Sequence, residues 1–271
     1  MLEIQDLRDF SIQNWYDKLK DVTIKTIILE LPEQLLKKIQ NEEIQDSEEE
    51  NVCDQREEEL PEKFIQDFKN AINTLENNAF VRNNWHAPVD ARVFSFGNAL
   101  KVVNLDDVIT YFMSSSKIQE DFSVAKNIPF CIALRKWISI HPAAEFRCIV
   151  INNILRGITP RDWPTFYAHF KEEGPQIIEE LTQFYNENVK LKFPRKNYIF
   201  DIVFQYPEKP YLLDLEPLNS KTNLHAFSWK EIQPLLSQEA PEDIAPVFRY
   251  LETDIGIMTK ADALKTFARC N

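Results

Sequence analysis

Glycine is scarce in this sequence, and its scarcity removes whole classes of nucleotide site. The 271-residue chain has four, Gly97, Gly157, Gly174 and Gly256, with no two close enough to build G-x-x-x-x-G-K-[ST] or G-x-G-x-x-G. Phosphate-cradling loops of the P-loop, Rossmann and protein-kinase kinds are therefore excluded. Cysteine is equally sparse. Cys53, Cys131, Cys148 and Cys270 form no C-x-x-C pair, which suits free thiols in a reducing compartment better than a disulfide framework or structural zinc. No window approaches the roughly 18 uninterrupted apolar residues of a membrane span. The N-terminus, MLEIQDLRDF, lacks the basic start and apolar run of a secretory signal, so an intracellular protein is expected. There is no G-x-S-x-G elbow and no H-E-x-x-H, and His86, His141, His169 and His225 are scattered singly. Ser-His hydrolase and zinc-protease chemistry thus find no support.

Positive charge is also in short supply. Lys and Arg number 31 against 43 Asp and Glu, a net charge of −12, so neither nucleic acid nor an acidic membrane is an expected partner. Between Asn41 and Phe64, eleven acids face two bases, so most of the surplus belongs to one stretch and the remainder of the chain is close to neutral. Such a stretch reads either as a solvated loop or as an acidic handle for a basic partner. With 44% hydrophobic and 12% aromatic residues, the composition is that of a globular protein with a sizeable core.

The periodicities predict a mixed α+β chain with largely antiparallel sheets flanked by helices, in two closely packed lobes. The first lobe is expected over 1–125, with the acidic loop at 41–63, and the second over 126–271. Trp15, Tyr16 and Leu19 have helical spacing, and VTIKTIILELP reads as a strand closed by Pro32. Helices follow from Pro32 and from Phe64, then short strands at Ala79–Asn83 and Ala91–Phe96 and a helix over Leu105–Met113. Phe130–Ile140, Glu145–Ile151 and Ile154–Ile158 are expected to form three consecutive antiparallel strands, the last two joined by a tight Asn152-Asn153 turn. A long helical region is expected from Trp163 to Val189, broken or kinked at Gly174-Pro175. Strands at Tyr198–Phe204 and Pro210–Leu215, a helix at Trp229–Leu236, a strand near Val247–Leu251 and a helix over Lys260–Phe267 complete the chain.

Chemistry concentrates on two strands. IFDIV sets Asp201 in an otherwise apolar run, and LLDLEPL places Asp214 and Glu216 two residues apart, on one strand face. Antiparallel pairing would bring Asp201 alongside, and three acids together need a divalent cation or several basic partners. Hard oxygen donors favour Mg²⁺; strand ends in water, or ion pairs with Arg and Lys, are the alternatives. Candidate cations are Lys101 after FGNAL, Arg135 in LRKW, Arg147 beside Glu145 in EFRCIV, and Arg161 in ITPRDW. Should they converge with the acids, they would neutralise a polyphosphate without a glycine loop. Trp137, Trp163 and Trp229 read as packing, His141 and His225 as structural, and Cys148 as a buried thiol.

The blocks FSIQNWYDKLKDVTIKTIILELP, NNWHAPVDA, LRKW-x7-AEFRCIV, GITPRDW, FDIV and LLDLEPLN-x7-FSW, in this order, resemble the cell division cycle protein 123 family from about Phe10 to Thr253. The resemblance implies an ATP-grasp-like fold and a eukaryotic, cytoplasmic assembly factor for translation initiation factor 2 that engages its gamma subunit and supports cell-cycle progression. It implies ATP and Mg²⁺ as ligands, with Trp85, Ala87, Asp90, Lys101, Arg135, Glu145, Arg147 and Arg161 around the nucleotide and Asp201, Asp214 and Glu216 at the metal. Three positions depart from the family pattern: Glu216 stands where many relatives have Asn, Val89 where they often have Arg, and Asn219 where they have Gly. A nucleotide-binding chaperone, monomeric by default, is the first expectation. An ATP-grasp carboxylate-amine ligase acting through an acyl phosphate is the alternative, disfavoured by the lack of a glycine-rich lid to exclude water.

Overall fold

The computed structural model describes residues 4–41, 60–94, 100–125, 127–238 and 244–254. Most of the acidic stretch and the helix expected over Lys260–Phe267 lie outside the described residues. The chain divides into two compact units: the residues up to Asp17 together with Lys25–Ile138, and Lys18–Ile24 together with the chain from Ser139.

The first unit is built on a four-stranded antiparallel sheet of order β1-β4-β2-β3, with β1 Thr26–Glu30, β2 Ala79–Arg82, β3 Lys101–Val102 and β4 Cys131–Lys136. β4 was expected to begin the second lobe and to pair with the strand after it. Instead it lies between β1 and β2, with Arg135 opposite Thr26 on one side and opposite Phe80 on the other. Its five buried residues explain the placement, since such a strand needs neighbours on both edges and cover on both faces. Helices α1 Ile4–Phe10, α2 Ile12–Leu19, α3 Glu33–Asn41, α4 Glu62–Thr74, α5 Leu105–Ser114 and α6 Ser116–Val124 belong to the same stretch of chain. α5 starts on a capping box between Asn104 and Asp107. α6 was not foreseen; Ser115 ends α5 and accepts from Ile118 N to start the next helix. Its Phe122 meets Phe130 at 4.7 Å between ring centroids, and Phe130 meets Trp85 at 6.1 Å. The strand expected at Ala91–Phe96 is a 3₁₀ helix over Val89–Phe94, and the residues after it lie outside the described ones.

The second unit carries a five-stranded sheet of order β8-β7-β5-β6-β9: β5 Glu145–Ile151, β6 Ile154–Pro160, β7 Tyr198–Val203, β8 Tyr211–Pro217 and β9 Val247–Phe248. β5 and β6 turn through Asn152 and Asn153 at φ 52° and 61°, the left-handed pair a two-residue hairpin turn needs. Among the described strands, β9 alone runs parallel to its neighbour. Helix α7, Phe170–Phe184, continues through Gly174-Pro175. Phe170, Ile177, Leu181 and Phe184 form one buried stripe along it, and packing on both sides of the proline offsets the backbone bond it forfeits. The helix begins later than expected because Pro164 disfavours helical backbone at Trp163. Beyond Ile149 on the opposite sheet face, Ile151, Ile199, Leu224, Phe227 and Ile232 form a separate core cluster, the last from α8, Trp229–Leu235. No helix among the described residues is long and apolar enough to cross a membrane.

Candidate functional site

Strand register assembles the charged residues of the second unit. Across four strands Thr159, Arg147, Asp201 and Asp214 stand in one row, each opposite the next. Antiparallel partners share a face, so these side chains emerge on the side that bears Ile149 and Ile199, one strand repeat away. Glu216 lies opposite Ile199, and Glu145 opposite Val203, extending the charged group along the same face. A register shift after Asp201 lets β8 accommodate Leu213 next to Asp214.

Arg147 is the hub. Its Nε donates to Asp201 Oδ1 at 2.8 Å and its Nη2 to Asp201 Oδ2 at 2.7 Å, the bidentate fork that guanidinium geometry favours. Nη2 also donates to Glu216 Oε1 at 2.6 Å, and Nη1 to the Asn223 carbonyl at 2.6 Å. Arg161 follows the end of β6; its Nη1 donates to Glu145 Oε2 at 3.1 Å and its Nε lies 3.2 Å from Asp201 Oδ2. That second approach is an ion pair rather than a hydrogen bond, since Nε has no hydrogen-bond partner in range and angle.

Burial sets the electrostatics. Burial pushes the Asp201 carboxyl up, but Arg147, Arg161 and His225 together outweigh it and hold it below the usual carboxylate range. Glu216 moves the other way: burial above all, helped by the repulsion of Asp201 and Asp214, raises it against the attraction of Arg147 and Arg161. Burial also raises Glu145, against the pull of Arg161. Arg147 is raised although burial opposes its charge, because Asp201 and Glu216 favour it more strongly.

Asp201, Glu216 and Glu145 are paired with the two guanidiniums, Asp214 stands in the same row, and every donor among these acids is a hard oxygen. Among the described residues no group of three or more His, Cys, Asp or Glu stands ready to hold an ion, since Asp201 and Glu216 are turned to Arg147. A carboxylate bound this way keeps lone pairs in reserve. Asp201, Asp214 and Glu216 offer hard oxygen donors of the kind Mg²⁺ takes, and Asp201 and Glu216 would have to turn from Arg147 to present them.

The other expected residues lie in the first unit. Lys101, Phe80, Arg135 and Thr26 form a row across its sheet. Lys101 is exposed, with Nζ 5.2 Å from the centroid of the Trp137 ring, whereas Arg135 is buried and donates from Nε to Thr26 Oγ1 at 3.3 Å. Trp137, set aside as packing, thus supports a candidate cation. Trp85 is buried, and its indole donates to the Leu7 carbonyl at 2.7 Å. Asp90 accepts from Ser115 Oγ at 2.6 Å and from Lys117 N at 3.3 Å, binding the start of α6. Ala87 is half-buried beside them.

Sequence reasoning missed the Asn223 carbonyl, which carries no side-chain signal, and the support beneath it. Phe227 closes on Gly157, where an added Cβ would sit 2.7 Å from ring atom Cζ. Arg249 lies over the same ring at 4.5 Å and donates to Glu231 at 2.7 Å. One signal was available, a lone glycine inside a strand, which often marks such a close approach.

Comparison with known proteins agrees with this architecture. The D123 family profile matches residues 15–268. A Xenopus tropicalis protein named translation initiation factor eIF2 assembly protein is 28% identical over 281 residues, covering 90% of this chain and 84% of its own. A protein of the same name from Dictyostelium discoideum is 32% identical over 182 residues, covering 64% of this chain and 47% of its own. Among solved structures, C-terminally truncated Cdc123 from Schizosaccharomyces pombe superposes with a TM-score of 0.77 at 22% identity, covering 93% of this chain and 98% of that one. That likeness establishes a shared fold, and the profile match across nearly the whole chain establishes that this protein belongs to the D123 family.

Proposed function

We propose that this protein is an ATP- and Mg²⁺-binding assembly factor for eukaryotic translation initiation factor 2 that docks on the factor's gamma subunit, as a monomer in the cytoplasm. Relatives named for eIF2 assembly and for the cell division cycle support the biological assignment. The observation that carries the ligand assignment is the gathering of Asp201, Asp214, Glu216 and Glu145 with Arg147 and Arg161 on one sheet face. Asp201, Asp214 and Glu216 would hold Mg²⁺, which would supply positive charge to a bound polyphosphate. The protein's own part is to orient Asp201 through Arg147, to present Asp214 and Glu216 from one strand face, and to offer guanidinium donors to the phosphates.

The test is isothermal titration of Mg-ATP into the wild type and Asp214→Ala, followed by capture of purified gamma subunit with and without ATP. Saturable binding that the substitution abolishes is expected, together with gamma-subunit capture. A wild type that takes up neither ATP nor the gamma subunit would refute the assignment. Turnover of ATP dependent on an added amine acceptor would instead favour a ligase.

A further inference from the structure

Family resemblance implies that both arginines surround the nucleotide, yet the structure treats them differently. Arg147 is 4% exposed at its side chain and engages all three of its nitrogens. Of the five N–H groups a guanidinium owns, four already meet Asp201 twice, Glu216 and the Asn223 carbonyl. A phosphate could reach it only by displacing a buried partner and leaving that group unpaired, which buried ionic groups do not tolerate cheaply. Arg161 is 36% exposed at its side chain. Among the described residues only Glu145 Oε2 accepts a hydrogen bond from it, through Nη1, and its Nε is buried without one. Its position one residue past the end of β6 brings it off the strand toward the rim that Glu145 shares.

We propose that the two divide the work: Arg147 is a positioning residue that fixes the acids and the chain at Asn223, and Arg161 is the guanidinium that meets the polyphosphate. This rests on the nucleotide reading above and refines it. Arg147 sits in mid-strand with Asp201 opposite, so its fork lies across the row and fixes one carboxylate rotamer. Through Nη1 it also ties the segment between β8 and α8 to the sheet. Arg161 keeps donors in hand: its approach to Asp201 is an ion pair without a hydrogen bond, and its pairing with the partly exposed Glu145 is of the kind an incoming anion can outcompete.

Three measurements decide it. Calorimetry with ATP and AMP in EDTA reads phosphate recognition without metal. Electron paramagnetic resonance with Mn²⁺ alone reads the carboxylates, and the melting temperature reads the fold. Arg161→Gln is expected to melt somewhat earlier than the wild type, having lost its ion pairs to Glu145 and Asp201, and to bind ATP about tenfold more weakly, the scale of one lost charge-assisted contact. It should lose most of its preference for ATP over AMP, and hold Mn²⁺ at least as tightly because a positive charge has left the acids. Arg147→Lys keeps the charge without the fork, so it should lose Mn²⁺ affinity and melt earlier while its preference for ATP over AMP persists. Arg161→Gln with an unchanged ATP preference overturns the assignment, as does Arg147→Lys that loses the preference while keeping its Mn²⁺ affinity and melting temperature. Should Arg147→Lys fail to fold, the Arg161→Gln measurements decide alone. A wild type that binds neither ATP nor Mn²⁺ overturns the nucleotide reading itself, a result distinct from a wild type that binds both while Arg161→Gln is silent.

Discussion

Replacing Gly157 with alanine tests whether the segment carrying Asn223 is clamped as tightly as the packing indicates. The new Cβ would lie 2.7, 3.0 and 3.2 Å from three atoms at the tip of the Phe227 ring, against ordinary contacts of 3.4–4 Å. The ring is hindered from shifting, because the Arg249 guanidinium lies over it at 4.5 Å and is itself fixed by Glu231 at 2.7 Å. Overpacking of this kind costs about 1–3 kcal/mol. The loss of glycine's freedom in the unfolded chain returns about 0.4–1 kcal/mol of stability, leaving a net destabilisation of about 1–2 kcal/mol. For a chain of this length that is a fall in melting temperature of roughly 3–6 °C. Scanning calorimetry on Gly157→Ala, Phe227→Leu and the double variant is the assay. Phe227→Leu removes the ring tip at its own packing cost, so the double variant should be less destabilised than the sum of the singles. The same displacement should weaken Mn²⁺ binding, since Asn223 moves with Phe227. An unchanged or raised melting temperature in Gly157→Ala, or strict additivity in the double, would refute the clamp.

Three further outcomes follow from the same structure. The first is a stability maximum on the acid side of neutrality. Asp201 is depressed, so its contribution is complete above the ordinary value of about 3.9 and is lost as pH falls through its lower folded value. Glu145 and Glu216 are raised, so their contribution is complete below about 4.3 and is lost as pH rises through their folded values. Denaturant midpoints of the metal-free protein should therefore rise as pH is lowered from 7 and collapse at lower pH; a steady decline from 7 downward would contradict this. Secondly, Glu216→Gln should raise the metal-free midpoint at pH 7, since its carbonyl can still accept from Arg147, while weakening Mn²⁺ binding; a lower midpoint would contradict the sign of the raised carboxyl. Thirdly, Ser115→Ala should cost about 1 kcal/mol through the start of α6, because it removes both the cap on Ile118 N and the donor to Asp90. ATP affinity should be untouched if Asp90 serves that cap rather than the nucleotide, and a selective loss of affinity at full stability would show otherwise.

What the sequence made legible was local. Alternation in LLDLEPL and the lone acid of IFDIV placed Asp214, Glu216 and Asp201 on neighbouring strands, and Asn152-Asn153 specified its hairpin through left-handed backbone. Pairings between distant segments were not legible. The five buried residues of β4 read as a core strand but not of which sheet, and sequence proximity to β5 pointed to the wrong one. The setting of Arg147 was hidden in the same way. EFRCIV shows an arginine on a strand face, and only the register that sets it opposite Asp201 reveals that its donors are committed to protein acceptors. Asn223 acts through its carbonyl, so no residue type could have announced it.

One sheet face in the second unit is apolar at one end and ionic at the other. Ile149, Ile151 and Ile199 pack beneath Phe227 and α8, while Arg147, Asp201 and Asp214 lie a single strand repeat away and Glu216 stands beside Ile199 at the boundary. For stability alone, continuing the apolar packing would serve as well or better, since a buried ion pair recovers its desolvation cost only with good geometry and well-packed hydrophobic replacements are often at least as stable. The ionic end also graduates from Arg147 and Asp201, nearly sealed, to Arg161, Glu145 and Glu216, partly open. A network kept only to hold the sheet together would have no use for a rim in which the open guanidinium has donors in hand, nor for acids gathered along one face. A site that must receive a cation and an anion together has use for both: the sealed members keep the geometry fixed while the open members exchange partners.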